Sequence, residues 1–174
     1  MTDGRDAFTA FVVDHERRLL ALALLLTGDR GLAEDLLQTA LLTTYRHWGR
    51  VSRAESPLAY VRRVLINTHL SWRRRLMSTE QVLEVLPDPG GPDPQAAHAV
   101  EADLRRALAE LSPRVRAVLV LRYFEDLTER ETAKLLGCST STVNTHASRG
   151  LAALRRTLAP ADDGAVASPR KGRS

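Results

Sequence analysis

The chain is 174 residues long and contains one cysteine, Cys138. No intramolecular disulfide is possible, and a reducing cytoplasm is the expected compartment. Phe, Trp and Tyr make up only 5% of the residues, β-branched runs are short, and Leu and Ala dominate, which points to an all-α fold. The longest apolar run, "LLALALLL" at 19–26, is far below the ~20 residues that span a bilayer and reads as a helix buried nearly all round. The start, "MTDGRDAF", has no basic segment ahead of an apolar one, so no signal peptide is expected. Lysine is almost absent: Lys134 and Lys171 stand against a Lys plus Arg total of 25. Arg suits phosphates and base edges, although a GC-rich genome produces the same bias. The five histidines (15, 47, 69, 98, 146) show no metal-ligand spacing with Cys138, and there is no cluster of acid, base and nucleophile. The expectation is therefore no metal, no cofactor and no catalysis.

What is present is a series of helices with clear ends. Phe8, Val12, His15, Leu19, Leu22 and Leu26 recur at helical spacing, Thr27-Gly28 stops that helix, and Asp29 can cap the next. The second helix runs to about Trp48, with Leu32, Ala33, Leu36, Leu37, Ala40 and Thr44 inward. "GRVSRAES" at 49–56 reads as a polar loop. Ser56-Pro57 then starts a helix with Leu58, Val61, Leu65 and Trp72 inward. "PDPGGPDP" at 87–94 holds half of the eight prolines and reads as a linker between two small helical domains. The expected division is 1–80, linker 81–98, 99–160 and a disordered tail 161–174. Beyond the linker, Val100, Leu104, Leu108 and Leu111 form a stripe, and Ser112-Pro113 repeats the cap-plus-Pro start.

Charge segregates along this plan. Residues 60 to 76 carry five Arg and no acid, whereas residues 77 to 104 carry six acids and no Lys or Arg. Such separation fits a polyanionic partner; a solvated helix end beside an acidic linker is the bland alternative.

The densest motif lies near the end. Thr128 and Glu131 form a capping box that opens "ERETAKLL". Gly137 ends that helix and Ser139 caps the following one. Ala133, Gly137 and Val143 hold the spacing of a helix-turn-helix: a small residue where two helices cross, a glycine for the turn, and a branched residue packing back. Val143, Ala147, Leu151, Leu154 and Leu158 make the inner stripe of the last helix. Its other side presents Ser141, Thr145, Ser148 and Arg149, flanked by Thr142, Asn144, His146 and Arg156, and no acid occurs from Ser139 to Leu158. Short donors with Arg and no carboxylate can approach a phosphate backbone and reach base edges. A merely structural helix-turn-helix is the alternative. On the second helix, Asp35, Gln38 and Leu42 fall on one outward line beside Glu34 and Arg46. Leu42 is either an ordinary exposed leucine or the anchor for a partner helix.

Taken together, these pieces resemble an extracytoplasmic-function (ECF) σ factor of the σ70 family. "GDRGLAEDLLQTALLTTYRHW" and "SPLAYVRRVLINTHLSWRRRL" resemble the family's region 2. "ALAELSPRVRAVLVLRYFEDLTERETAKLLGCSTSTVNTHASRGLAALR" resembles region 4, so the likeness runs from about Phe8 to Leu158. The wording "LLTGD…AEDLLQ…W" and "YVRRVLIN" is closest to the SigE-type subgroup. The resemblance implies a two-domain all-α protein that directs RNA polymerase to promoters. It implies that Glu34, Asp35, Gln38, Leu42 and Arg46 bind core polymerase at the β′ clamp helices, with the β flap a further contact. It implies −10 DNA binding by the 49–56 loop and by Arg62, Arg63, Asn67, Ser71, Arg73 and Arg74. It also implies −35 reading by Ser139, Ser141, Thr142, Asn144, Thr145, His146, Ser148 and Arg149. An anti-σ factor is a further implied partner, and a membrane is not. Trp72 is expected in the core rather than stacked on a base. Many relatives carry a basic residue where Asn144 stands, and Asn can read adenine bidentately. A stand-alone helix-turn-helix regulator is the alternative; it has no use for the "AEDLLQ" surface.

Overall fold

The computed structural model describes residues 3–78 and 96–159. The 87–94 linker and the tail lie outside the described residues. Among the described residues eight α-helices follow in chain order: α1 (Asp3–Thr27), α2 (Arg30–Arg46), α3 (Trp48–Val51), α4 (Pro57–Ser78), α5 (Ala96–Ala109), α6 (Pro113–Leu119), α7 (Glu129–Leu136) and α8 (Thr140–Leu158). No strand occurs among the described residues.

The helix ends follow local chemistry. Gly28 takes φ 76° after α1, and Asp29 then accepts from the Leu32 amide to cap α2. Ser56 Oγ accepts from the Ala59 amide at 3.2 Å, starting α4 at Pro57. Pro113 opens α6 as expected, but Ser112 makes no side-chain cap. The Thr128–Glu131 capping box is complete. There the Thr128 hydroxyl and backbone amide hold the Glu131 carboxyl below its ordinary pKa. Gly137 closes α7 at φ 64°, a left-handed turn that the Cβ of another residue would strain.

Three expectations need correction. Leu32, placed in the inner stripe of α2, is 44% exposed, because at about 100° per residue it lies about 100° round the helix from the centre of the buried stripe of Ala33, Leu36, Leu37, Ala40 and Thr44. Leu158 is 43% exposed at the last turn of α8. The 49–56 segment is not a plain loop: α2 breaks at His47, and the short α3 buries Trp48 and Val51. Trp48 is held in an aromatic group with Phe8 and Phe11 at 5.1 and 5.2 Å.

α1, α2 and α4 pack as one bundle, and α6 and α7 pack on α8 as another. The two share a single apolar core running from Leu19, Leu22 and Leu26 through Leu36, Leu65 and Ile66 to Val118, Leu121, Val143 and Ala147. Trp72 packs against this core, as expected, and so does Cys138. Each fully buried leucine or isoleucine contributes about 1.5–3 kcal/mol relative to exposure. Gly150 sets the closest approach in the second bundle. A Cβ there would meet Leu119 at 2.7 Å and Val115 at 2.9 Å, so α8 lies against α6 with no room for a side chain.

A buried arginine ties the two bundles. Arg116 is 5% exposed. Its guanidinium donates to the carbonyls of Leu26 (2.7 Å), Leu108 (2.7 Å), Ala109 (2.7 Å) and Leu111 (3.1 Å). Leu26 lies in the last turn of α1; Leu108 and Ala109 end α5. Helix C-termini carry partial negative charge, so the cation is compensated without a carboxylate. Burial, followed by the nearby Arg73, lowers its pKa to about 10, so it stays charged at neutral pH. Replacing Arg116 by Met should cost at least ~3 kcal/mol, because four carbonyls lose the guanidinium inside the fold and only that of Leu108 keeps an amide donor, from Leu111. Urea unfolding monitored by circular dichroism measures this, and a loss below ~1 kcal/mol would show that water replaces the guanidinium.

His69 sits nearby, 3% exposed, with Nε2 buried and unpaired. Burial first, then Arg116 and Arg73, lower its pKa from 6.5 to about 4. The folded state thus keeps His69 neutral where the unfolded chain takes up a proton. Its contribution to stability is complete above pH 6.5 and is lost as pH falls toward 4. Between pH 6.5 and 5 the native protein should lose about 1.5 kcal/mol more than a His69→Gln variant. Parallel unfolding curves at the two pH values test this; equal losses would place the imidazole in contact with water.

Candidate nucleic-acid and protein interfaces

α8 is carried by the capping box, the Gly137 turn and the Ser139 cap. Ala133 (6% exposed) and Val143 (0%) close the α7–α8 crossing, as their spacing predicts. The outward residues divide by what they already bind. Ser139 Oγ accepts from the Thr142 amide at 3.1 Å and lies 2.9 Å from the Thr142 hydroxyl, so this pair builds the helix start. The Thr145 hydroxyl donates back to the Ser141 carbonyl at 3.0 Å. His146 is half-buried, with Nδ1 enclosed and unpaired. Ser141, Ser148 and Arg149 are exposed, and Arg149 has no carboxylate partner among the described residues.

The face is not wholly free of acid. No carboxylate occurs in α8 itself, but the fold brings Glu129 of α7 to it: Asn144 Nδ2 donates to Glu129 Oε2 at 3.1 Å, across fifteen residues. Helical periodicity within α8 carries no trace of a neighbour on α7. The capping box did mark Glu129 as the first residue of a helix packed alongside.

On α4, successive residues turn by about 100°. Arg63, Asn67, Ser71 and Arg74 therefore share one stripe; Arg63, Asn67 and Arg74 are exposed and Ser71 is half-buried. Arg62 and Arg73 fall on a second stripe with His69, toward the other bundle. Arg73 remains exposed, while the Arg62 side chain is 14% exposed and bound to Glu125. The six residues thus form two sets.

On α2, Glu34, Asp35, Gln38, Leu42 and Arg46 are all exposed, and Leu42 is 61% exposed. Glu34 is held by Arg30 at 2.8 Å, four residues earlier. The structure adds Tyr45, 42% exposed, one turn after Leu42, its ring tilted at 57° against that of Phe8 with the centroids 5.0 Å apart. Its spacing from Leu42 was readable in the sequence; its support by α1 was not. Two large apolar side chains on an exposed turn, edged by Asp35, Gln38 and Arg46, form an apolar centre with a polar rim. Among the described residues no group of His, Cys, Asp and Glu could hold a metal ion, and no helix is long and apolar enough to cross a membrane.

Comparison with known proteins adds the family. The model for Sigma-70 region 2 matches residues 11–79, and that for Sigma-70, region 4 matches residues 101–154. The RNA polymerase sigma-E factor of Streptomyces avermitilis is 40% identical over 166 residues, covering 95% of this chain and 93% of that protein. The sigma-E factor of Streptomyces coelicolor is 39% identical over 166 residues, covering 95% and 94%. Among solved structures, the sigma factor RpoE of Bartonella quintana, crystallised with the anti-sigma factor NepR, has the same fold. Its TM-score is 0.71 at 22% identity, over 87% of this chain and 96% of that one.

Proposed function

The chain belongs to the σ70 family as an extracytoplasmic-function σ factor, and from that premise we propose how its residues divide the work of promoter recognition. A σ factor brings core RNA polymerase to promoters; it carries out no bond chemistry, and we assign none to this chain. Residues 1–80 form the unit that binds core polymerase and the −10 element, 81–98 link it to the next unit, and 99–160 form the unit that reads the −35 element. The working compartment is the cytoplasm.

The line Asp35, Gln38 and Leu42, with Glu34, Arg46 and Tyr45 beside it, is the surface for the β′ clamp helices. This exposed line is the observation that carries the reading, because a stand-alone helix-turn-helix regulator has no use for it. The β flap is a further contact, and an anti-σ factor is a partner of a second kind: the Bartonella relative was crystallised with one.

The −10 element is held along α4. Arg63 and Arg74 track phosphates, while Asn67 and Ser71 offer hydrogen bonds to splayed bases of the non-template strand. Arg62 and Arg73 extend the basic track on the adjoining stripe. At −35, α8 enters the major groove. Arg149 is the base reader, since it is long, exposed and without an ion-pair partner among the described residues, while Ser141 and Ser148 sit within phosphate reach. Bidentate adenine recognition by Asn144 needs both ends of its amide. Glu129 engages one N–H of Nδ2, so with that contact kept Asn144 has its oxygen and its other N–H left for a base.

Two outcomes test this reading. The purified protein should co-elute with σ-free core polymerase in stoichiometric amounts. The double variant Asp35→Ala, Gln38→Ala should bind core at least tenfold more weakly, about 1.4 kcal/mol, with an unchanged circular dichroism spectrum. Undiminished affinity in a titration would move the interface elsewhere. Arg149→Ala should cost ~1–3 kcal/mol in promoter binding and relax the preference at one −35 position. Sequencing transcripts made in vitro by the two holoenzymes reads this directly, and an identical promoter profile would remove Arg149 from base reading.

A further inference from the structure

Glu125 lies where the two bundles meet, and none of the roles above uses it. A π-helical turn, Val120–Phe124, precedes it. The Glu125 amide closes that turn by donating to the Val120 carbonyl at 3.0 Å. Asp126 follows in left-handed backbone, φ 53°, and the Leu127 amide donates to the Leu121 carbonyl at 3.0 Å. The side chain is therefore carried on a turn fixed from both sides. It is 1% exposed. Its Oε2 forms an ion pair with Arg62, 2.5 Å from Nε, and accepts from Arg18 Nη2 at 3.5 Å. Both arginines belong to the other bundle, on α4 and α1. Among the described residues of its own bundle Glu125 has no basic partner: Arg122 is directed to the Leu127 carbonyl and toward Glu129. Its second oxygen, Oε1, is buried without a partner.

A carboxylate held against a guanidinium offers the same ligand as a phosphate: anionic oxygens accepting charge-assisted hydrogen bonds. Arg62 is also the one member of the basic α4 set that is nearly enclosed. We propose that Glu125 is an internal stand-in for a DNA phosphate, occupying Arg62 while the bundles are packed together and releasing it when they part. The proposal rests on the reading of α4 as the −10 helix. In the packed state the Arg63, Asn67 and Arg74 stripe stays open and Arg62 is masked, so single-stranded DNA meets only part of the track. A buried ion pair gains Coulomb energy but forfeits hydration of both ions, so its net hold is modest. It is suited to displacement by a strand that supplies phosphates in its place.

The test uses the free full-length protein and a random-sequence single-stranded DNA 12-mer. Fluorescence anisotropy reads affinity, and small-angle X-ray scattering reads the separation of the bundles. Glu125→Gln keeps the volume and removes the charge. It should enlarge the radius of gyration and tighten 12-mer binding by about five- to tenfold. Adding Arg62→Gln should abolish that gain. If Glu125→Gln fails to fold, Arg18→Gln replaces a half-exposed side chain at the edge of the same contact and should give a smaller gain in the same direction. Expansion without tighter binding, or no change in either quantity, overturns the proposal, as does an Arg18→Gln variant with no gain where it decides. A separate measurement isolates the underlying reading: Arg62→Gln in assembled holoenzyme, on templates selected in vitro by the wild type. Unchanged transcription there removes Arg62 from DNA binding and the proposal with it. Reduced transcription together with no gain from Glu125→Gln leaves the α4 reading standing and refutes only the latch.

Discussion

Four backbone carbonyls, of Leu26, Leu108, Ala109 and Leu111, meet at one point in this molecule, and the guanidinium of Arg116 donates to all four. Helix ends leave such acceptors as a matter of geometry. α1 and α5 both end against α6, and Gly28 lets them come close: a Cβ there would stand 3.3 Å from that of Ala109. An apolar side chain in place of Arg116 would strand the acceptors, and a carboxylate would repel them. The relative placement of the two bundles follows from this cation, because one acceptor belongs to α1 and the others to α5 and the loop after it. The neutral state of His69 and the confinement of Arg62 are downstream of the same packing.

Much of the architecture was legible in the sequence because helix ends are local events. Asp29, Ser56, Thr128, Glu131, Gly137 and Ser139 act within four residues of themselves, and each does what its chemistry and position dictate. The failures are of two kinds. Leu158 continues a periodicity into the last turn of α8, and Leu32 stands at the edge of the α2 stripe rather than within it. The break at His47 and the π-helical turn after Leu119 depend on packing by Trp48 and on the approach of the other bundle, and periodicity holds no record of either. Arg116 illustrates the limit well. In "PRVRAVL" it is one arginine of two; that it lies inside while Arg114 is exposed follows only from where α1 and α5 end.

The candidate interaction surfaces show the same division. The outward lines on α2 and α8 were readable as departures from pattern: an apolar residue on a polar face, and a face without acids. What each side chain has left to offer was not. Ser139 and Thr142 are occupied with capping, Thr145 with the helix backbone and Asn144 with Glu129, which leaves Ser141, Ser148 and Arg149 as the unengaged group. On α4 the sequence shows one basic cluster, and the fold separates it into an open stripe and a stripe turned toward Glu125.

Gly150 carries a consequence for how such a protein can diverge. With no space for a Cβ between α8 and α6, together with Val143 and Ala147 buried, the axial register of α8 is set entirely from its inner side. Ser141, Ser148 and Arg149 contribute nothing to that register. Lineages are then free to exchange these outer letters while the scaffold beneath stays as it is. Substitution at these three positions leaves the buried packing of α8 on α6 as it is.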